Sequence, residues 1–133
     1  MGRHEQREQL FKLLFRIEFN SVDDMPEQVK LFFEDDEIEY TEAVMDAISD
    51  KYEKIQEKLA DIDAKLNEKA EGWNVSRMGK VELAVLRIAV YEILFDEEIP
   101  NTVAINEAIE IAKKYGQEAS GGFVNAILAK FVN

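Results

Sequence analysis

A chain of 133 residues, 47 % hydrophobic and 33 % charged, is long enough for one domain with a substantial core and has an ordinary soluble composition. The absence of cysteine and the single histidine, His4, argue against a disulfide framework, a thiolate cluster, a cysteine nucleophile, a histidine triad and a multi-histidine metal site, so neither enzyme activity nor a metal or cofactor is expected. There is no signal-peptide pattern and no run of the roughly 18 apolar residues that a membrane span needs, so a cytoplasmic location is expected.

The net charge of −12 disfavours a nucleic-acid partner, but the charge is unevenly spread. Residues 1–16 carry Arg3, Arg7, Lys12 and Arg16 against Glu5 and Glu8, a local net of +2. Residues 18–50 carry twelve acids and one base, a local net of −11. The periodicity predicts a first helix from Arg3 to Phe19 with a stripe of Leu10, Leu14 and Ile17, widened by Phe11, Leu13 and Phe15. Arg3 and Arg7 extrapolate onto that stripe, where a charge cannot comfortably be buried, so the first two turns are expected to project as a short arm. Arg3, His4 and Arg7 on such an arm suit phosphate contact; the alternative is a solvated, frayed terminus.

Pro26 fits the first turn of a second helix running to Phe33. The run Glu34-Asp35-Asp36-Glu37 lacks calcium-loop spacing and reads as a solvated loop. From Thr41 the helical pattern resumes through Val44, Ile48, Tyr52, Ile55, Leu59, Ile62 and Leu66. A break near Ala60, with Asp61 capping a shorter helix to Lys69, is expected because an unbroken pattern of nearly 30 residues is long for a small domain. Glu71-Gly72 closes this half, and Trp73 is expected to anchor the two halves.

Ser76 is a candidate N-cap for the segment around which the chain is organised, Val81–Leu94. Eleven of its fourteen residues are apolar, and Glu82, Arg87 and Glu92 point in three directions around a helix, leaving no polar face. Each charge then needs either an internal salt bridge or a route to a binding surface. A further helix from Thr102 to Tyr115 ends with Lys113, Lys114 and Gly116, the last expected as a left-handed cap. Ser120 opens the final helix, with Phe123, Val124, Ile127, Leu128 and Phe131 as its stripe. Gly121 and Gly122 in its first turn would either admit a phosphate or partner to the exposed N–H groups or allow tight packing against a neighbouring helix. No period-two pattern occurs. The expected fold is all-α, about seven helices in two packed subdomains, residues 1–70 and 71–133.

The order of these motifs resembles the NusB family of transcription antitermination factors. The resemblance lies in Val81 to Leu94, then Ile99-Pro100, then Val103-Ala104-Ile105-Asn106-Glu107-Ala108-Ile109-Glu110, and finally Ser120 with Phe123-Val124-Asn125 and Ile127-Leu128. Gly2-Arg3-His4 through Arg7-Glu8 is similar to the family's arginine-containing first helix. The resemblance implies the NusB-like fold and binding of boxA RNA jointly with ribosomal protein NusE, in the RNA polymerase antitermination complex that supports rRNA transcription. By motif position, Arg3, His4 and Arg7 would contact RNA, Arg87, Ser120, Gly121, Gly122 and Phe123 would border it, and Glu82 would face NusE. Departures are His4 in place of a common arginine, Gly122 where a basic residue is frequent, and Ala119 near a frequent acid. The competing readings are the RNA-binding domain of a ribosomal-RNA cytosine methyltransferase and a helical protein–protein module, with homodimerisation through the Ile48–Leu66 stripe.

Overall fold

A computed structural model describes every residue except Asp36 and Asn133. Among the described residues there is no strand, and six α-helices account for the fold: α1 (Arg3–Phe15), α2 (Met25–Phe33), α3 (Glu42–Lys69), α4 (Lys80–Phe95), α5 (Asn101–Tyr115) and α6 (Ser120–Ala129). Short 3-10 turns at Arg16–Phe19 and Val22–Asp24 link α1 to α2. None of the helices is long and apolar enough to cross a membrane. The chain divides into two compact units, Met1–Gln56 and Glu57–Asn133, with the boundary inside α3.

The expected seventh helix is absent because α3 does not break at Ala60. Its 28 residues hold no glycine or proline, and Ile48, Tyr52, Ile55, Ile62 and Leu66 stay buried on one stripe at spacings of three, four and seven. Asp61 is an exposed mid-helix residue rather than a cap, since unbroken periodicity outweighs its capping preference. The helix ends through Gly72, whose φ of 80° is left-handed, and Val75 N–H closes the turn on Asn67 Oδ1 at 2.8 Å.

In the first unit, α1 buries Leu10, Phe11, Leu13 and Leu14 and tightens into a 3-10 turn where a continuous helix to Phe19 was expected. The two turns at its start do not form a free arm: Arg3 and His4 are exposed, but Arg7, Glu8 and Gln9 are buried. A long aliphatic stem lets an arginine cover apolar surface in this way. Arg16 fixes the α1–α2 connection by donating to Gln28 Oε1 at 2.9 Å and lying 5.3 Å from the centre of the Phe32 ring. Pro26 sits in the first turn of α2, as its locked φ favours. Asp35 and Glu37 of the acidic run are solvated, as expected; Asp36 lies outside the described residues.

In the second unit, α4, α5 and α6 pack on one another. Every residue of α4 from Leu83 to Glu92 is buried, as an all-round apolar helix requires. Ser76 does not cap it. Gly79 occupies the N-cap position, and the Ser76 hydroxyl instead meets the Asn74 carboxamide. Helix α6 stops at Ala129, so Phe131 falls in the turn after it, with Lys69 Nζ 5.9 Å from the centre of its ring.

Candidate nucleic-acid interface

The three charges of α4 meet different fates. Arg87 lies flat against Asp63 of α3, donating from Nε to Oδ1 at 3.0 Å and from Nη2 to Oδ2 at 2.8 Å. The two side chains are only 9 % and 22 % exposed, so this is an internal two-pronged salt bridge, one of the two outcomes the residues allowed. Glu92 is fully buried and is not without a partner. Glu82, half-exposed in the first turn of α4, sits where a carboxylate complements the helix dipole.

Glu82 is tied to the start of α6. Ser120 Oγ donates to Glu82 Oε1 at 2.5 Å and accepts from Gln117 N–H at 2.9 Å, and Ser120 itself is buried. The hydroxyl therefore shapes the α5–α6 turn instead of standing free. Gly116 serves the same turn by close approach: its φ of −98° is not the left-handed cap expected. A Cβ there would meet the Ala112 carbonyl at 2.7 Å and Ser120 Oγ at 2.5 Å.

The two glycines of α6 divide the alternatives between them. A Cβ on Gly121 would come within 3.1 Å of Lys113 Cγ and 3.5 Å of Ile109 Cγ2, so this glycine lets α5 pack closely. Gly122 is exposed, and a Cβ there would meet nothing within 4 Å. Gly122→Ala is accordingly expected to stabilise the chain by about 0.5 kcal/mol through helix propensity. Gly116→Ala should cost about 1–3 kcal/mol, because a backbone carbonyl cannot move aside. Urea denaturation of both variants reads the opposite signs.

Beside this turn lies an open cleft lined by Trp73, Gly79, Glu82, Gln117, Ala119, Ser120 and Phe123. Trp73 is 46 % exposed. Phe123 meets its ring edge-on, with centroids 5.3 Å apart and planes at 80°, and the Arg77 guanidinium lies 5.7 Å from the Trp73 ring centre. An exposed indole with a cation on it and a second ring beside it is a surface for stacking an unpaired base. Arg77 and Lys113, which the fold brings to the cleft and its turn, are not among the site candidates the sequence suggests. The available signals were an arginine four residues after the single tryptophan and a lysine pair ending α5.

The structure thus gathers Glu82, Ser120 and Phe123 around one cleft with Gly122 open next to them, and it turns Arg87 to a different face of α4. In the first unit, Arg3 and His4 are accessible; His4 Nε2 lies 3.0 Å from Glu8 Oε1 and forms a true ion pair only when the imidazole is protonated. Among the described residues no group of three potential metal ligands occurs.

The NusB family profile matches residues 4–133. The chain belongs to the NusB family. It is 47 % identical over 131 residues to transcription antitermination protein NusB of Agathobacter rectalis, covering 98 % of this chain and 99 % of that protein. Against the protein of the same name from Lachnoclostridium phytofermentans it is 47 % identical over 133 residues, covering 100 % of both. The solved structure of T. maritima NusB matches with a TM-score of 0.87 at 38 % identity, over 98 % of this chain and 90 % of that one. A crystal structure of antitermination factors NusB and NusE in complex with dsRNA matches with a TM-score of 0.83 at 22 % identity, over 98 % and 97 % of the two chains, a likeness of fold. This NusB-family chain is therefore an all-α transcription antitermination protein of a non-enzymatic family, which sets aside the methyltransferase reading.

Proposed function

We propose that this chain is an RNA-binding adaptor of antitermination that engages boxA-type RNA jointly with NusE and delivers it to the RNA polymerase antitermination complex in the cytoplasm. The observation that carries the reading is the exposed Trp73 ring, framed by Phe123 and Arg77 beside the open Gly122 turn. Single-stranded RNA is recognised by stacking splayed bases on such rings, with cations following the phosphates. Lys113 lays its stem along Gly121 and supplies a cation to this turn, where Gly122 brings none. Arg3 and His4 serve as phosphate contacts from the first unit. Arg7 and Arg87, both buried, act as supports that hold their helices in place. Glu82, fixed through Ser120, presents its remaining carboxylate surface to NusE.

The tryptophan is the only one in the chain, so its fluorescence reports on this site alone. Adding a boxA oligonucleotide to the chain with unlabelled, tryptophan-free NusE should quench Trp73 emission, whereas a scrambled oligonucleotide should not at the same concentration. Unchanged emission at saturating RNA would remove Trp73 from the interface and with it the main support for the reading.

A further inference from the structure

Stacking on Trp73 tells one base poorly from another, because every base has a flat face. Base identity is read by hydrogen bonds to the base edge, so the polar groups of the cleft decide what it selects. Two of them have hydrogen-bonding capacity to spare. Gln117 lines the cleft with an exposed side chain. Its backbone is pinned at both ends: its N–H donates to Ser120 Oγ at 2.9 Å, and its carbonyl accepts from Ser120 N–H at 3.0 Å. Among the described residues its carboxamide has no hydrogen-bond partner. Glu82 is the second. Ser120 holds its Oε1, while Oε2 lies against Gly79, a neighbouring cleft residue, where a Cβ would otherwise intrude. The bare glycine therefore leaves Oε2 open to the cleft.

A carboxamide offers both a donor and an acceptor, whereas a carboxylate oxygen only accepts. Between them, Gln117 and Glu82 Oε2 ask a base for two donors and an acceptor on its Watson–Crick edge. Guanine has that set: N1–H, the N2 amino group and O6. Cytosine and uracil carry a single donor between two acceptors, and adenine has a single donor there. Against Oε2 a pyrimidine carbonyl would set lone pair against lone pair. We propose that the Trp73 cleft selects a guanine of single-stranded RNA. Gln117 donates to O6 and accepts from N1–H, and Glu82 Oε2 accepts from the N2 amino group.

The inference rests on the RNA-binding reading above and adds which base the site takes. An acid is a poor neighbour for phosphate, and a base edge with two donors is the part of RNA that it fits. A carboxylate oxygen accepts two hydrogen bonds, so Oε2 can receive the amino group from the cleft side and still face NusE.

The test follows Trp73 quenching in the full chain with tryptophan-free NusE at fixed salt. The probes are the boxA oligonucleotide and copies in which each guanosine is replaced in turn by adenosine or inosine. At one guanosine, adenosine should weaken binding by about tenfold. Inosine there lacks only the N2 amino group and should weaken binding several-fold. Glu82→Gln keeps an acceptor for Ser120 Oγ and turns the other end into a donor, so its guanosine–inosine difference should vanish. Gln117→Ala should shrink the guanosine–adenosine difference several-fold yet keep the guanosine–inosine difference, a separation that a merely structural role would not produce. Each ratio is taken within one variant, so any change in NusE contact cancels. Quenching that no guanosine replacement alters, or a guanosine–inosine difference that survives Glu82→Gln, would overturn the guanine assignment and leave the RNA reading standing. No quenching by boxA RNA itself would remove both. Guanosine monophosphate alone at the same concentration should leave the emission unchanged; quenching to the same depth would make the cleft a pocket for free nucleotide and overturn the assignment to RNA.

Discussion

Asp63→Ala is expected to destabilise the protein by about 3 kcal/mol, a large share of the stability of a chain this size. The reason lies in what is left behind. Arg87 donates two hydrogen bonds to Asp63 from a side chain that is 9 % exposed, so removing the carboxylate takes two charge-assisted hydrogen bonds from a guanidinium that water can scarcely reach to compensate. Asp63→Ala with Arg87→Met removes the nearly buried charge as well and should recover more than half of the loss, since the two sites are directly coupled. Urea denaturation measures all three proteins. A single-variant cost below about 1 kcal/mol would class the pair with ordinary surface ion pairs. It would also reopen a direct RNA contact for Arg87.

Trp73→Ala is expected to weaken binding of boxA RNA by about 1–3 kcal/mol, roughly ten- to a hundredfold, the worth of one stacked base. Stability should change little by comparison, because the ring is nearly half exposed. Fluorescence anisotropy with labelled RNA in the presence of NusE measures the affinity. Arg3→Ala should behave differently. Loss of a phosphate contact weakens all sequences alike and lowers the salt slope by about one. A Trp73→Ala variant that binds like the parent would place the RNA elsewhere.

The fold was legible where one physical rule dominated. Eleven apolar residues among fourteen leave Val81–Leu94 no solvent face, and Leu83 to Glu92 are all buried. Two rules competed at Ala60–Asp61: an aspartate that favours helix ends, and a stripe whose phase never slips. Periodicity won because nothing in α3 interrupts its hydrogen bonding. Gly116 in the sequence suggests a left-handed cap, but its reason is contact, since a left-handed cap and a close approach leave the same letter. The charge of Arg7 argues against burial in the sequence, yet its long stem allows it.

The cleft was half legible. Phe123, Ser120 and Glu82 stand out by residue type and order, but a hydroxyl that reaches 38 residues back to Glu82 is a tertiary contact that no local pattern encodes. Trp73 is visible as a residue, but its display is not: a large aromatic in a loop between helices looks the same whether it is buried or 46 % exposed, as here. Arg77 gains meaning only once the turn after α3 folds it over the indole.

The most direct test of the adaptor reading is anisotropy titration of boxA and scrambled RNA with this chain alone and with NusE, at two salt concentrations. A chain of net charge −12 repels phosphate, so alone it should bind both RNAs weakly, while a basic partner that supplies phosphate contacts should raise boxA affinity by at least about tenfold. Selective binding that depends on NusE is the predicted result. Equal affinity for both RNAs, or equal affinity with and without NusE at fixed salt, would contradict it.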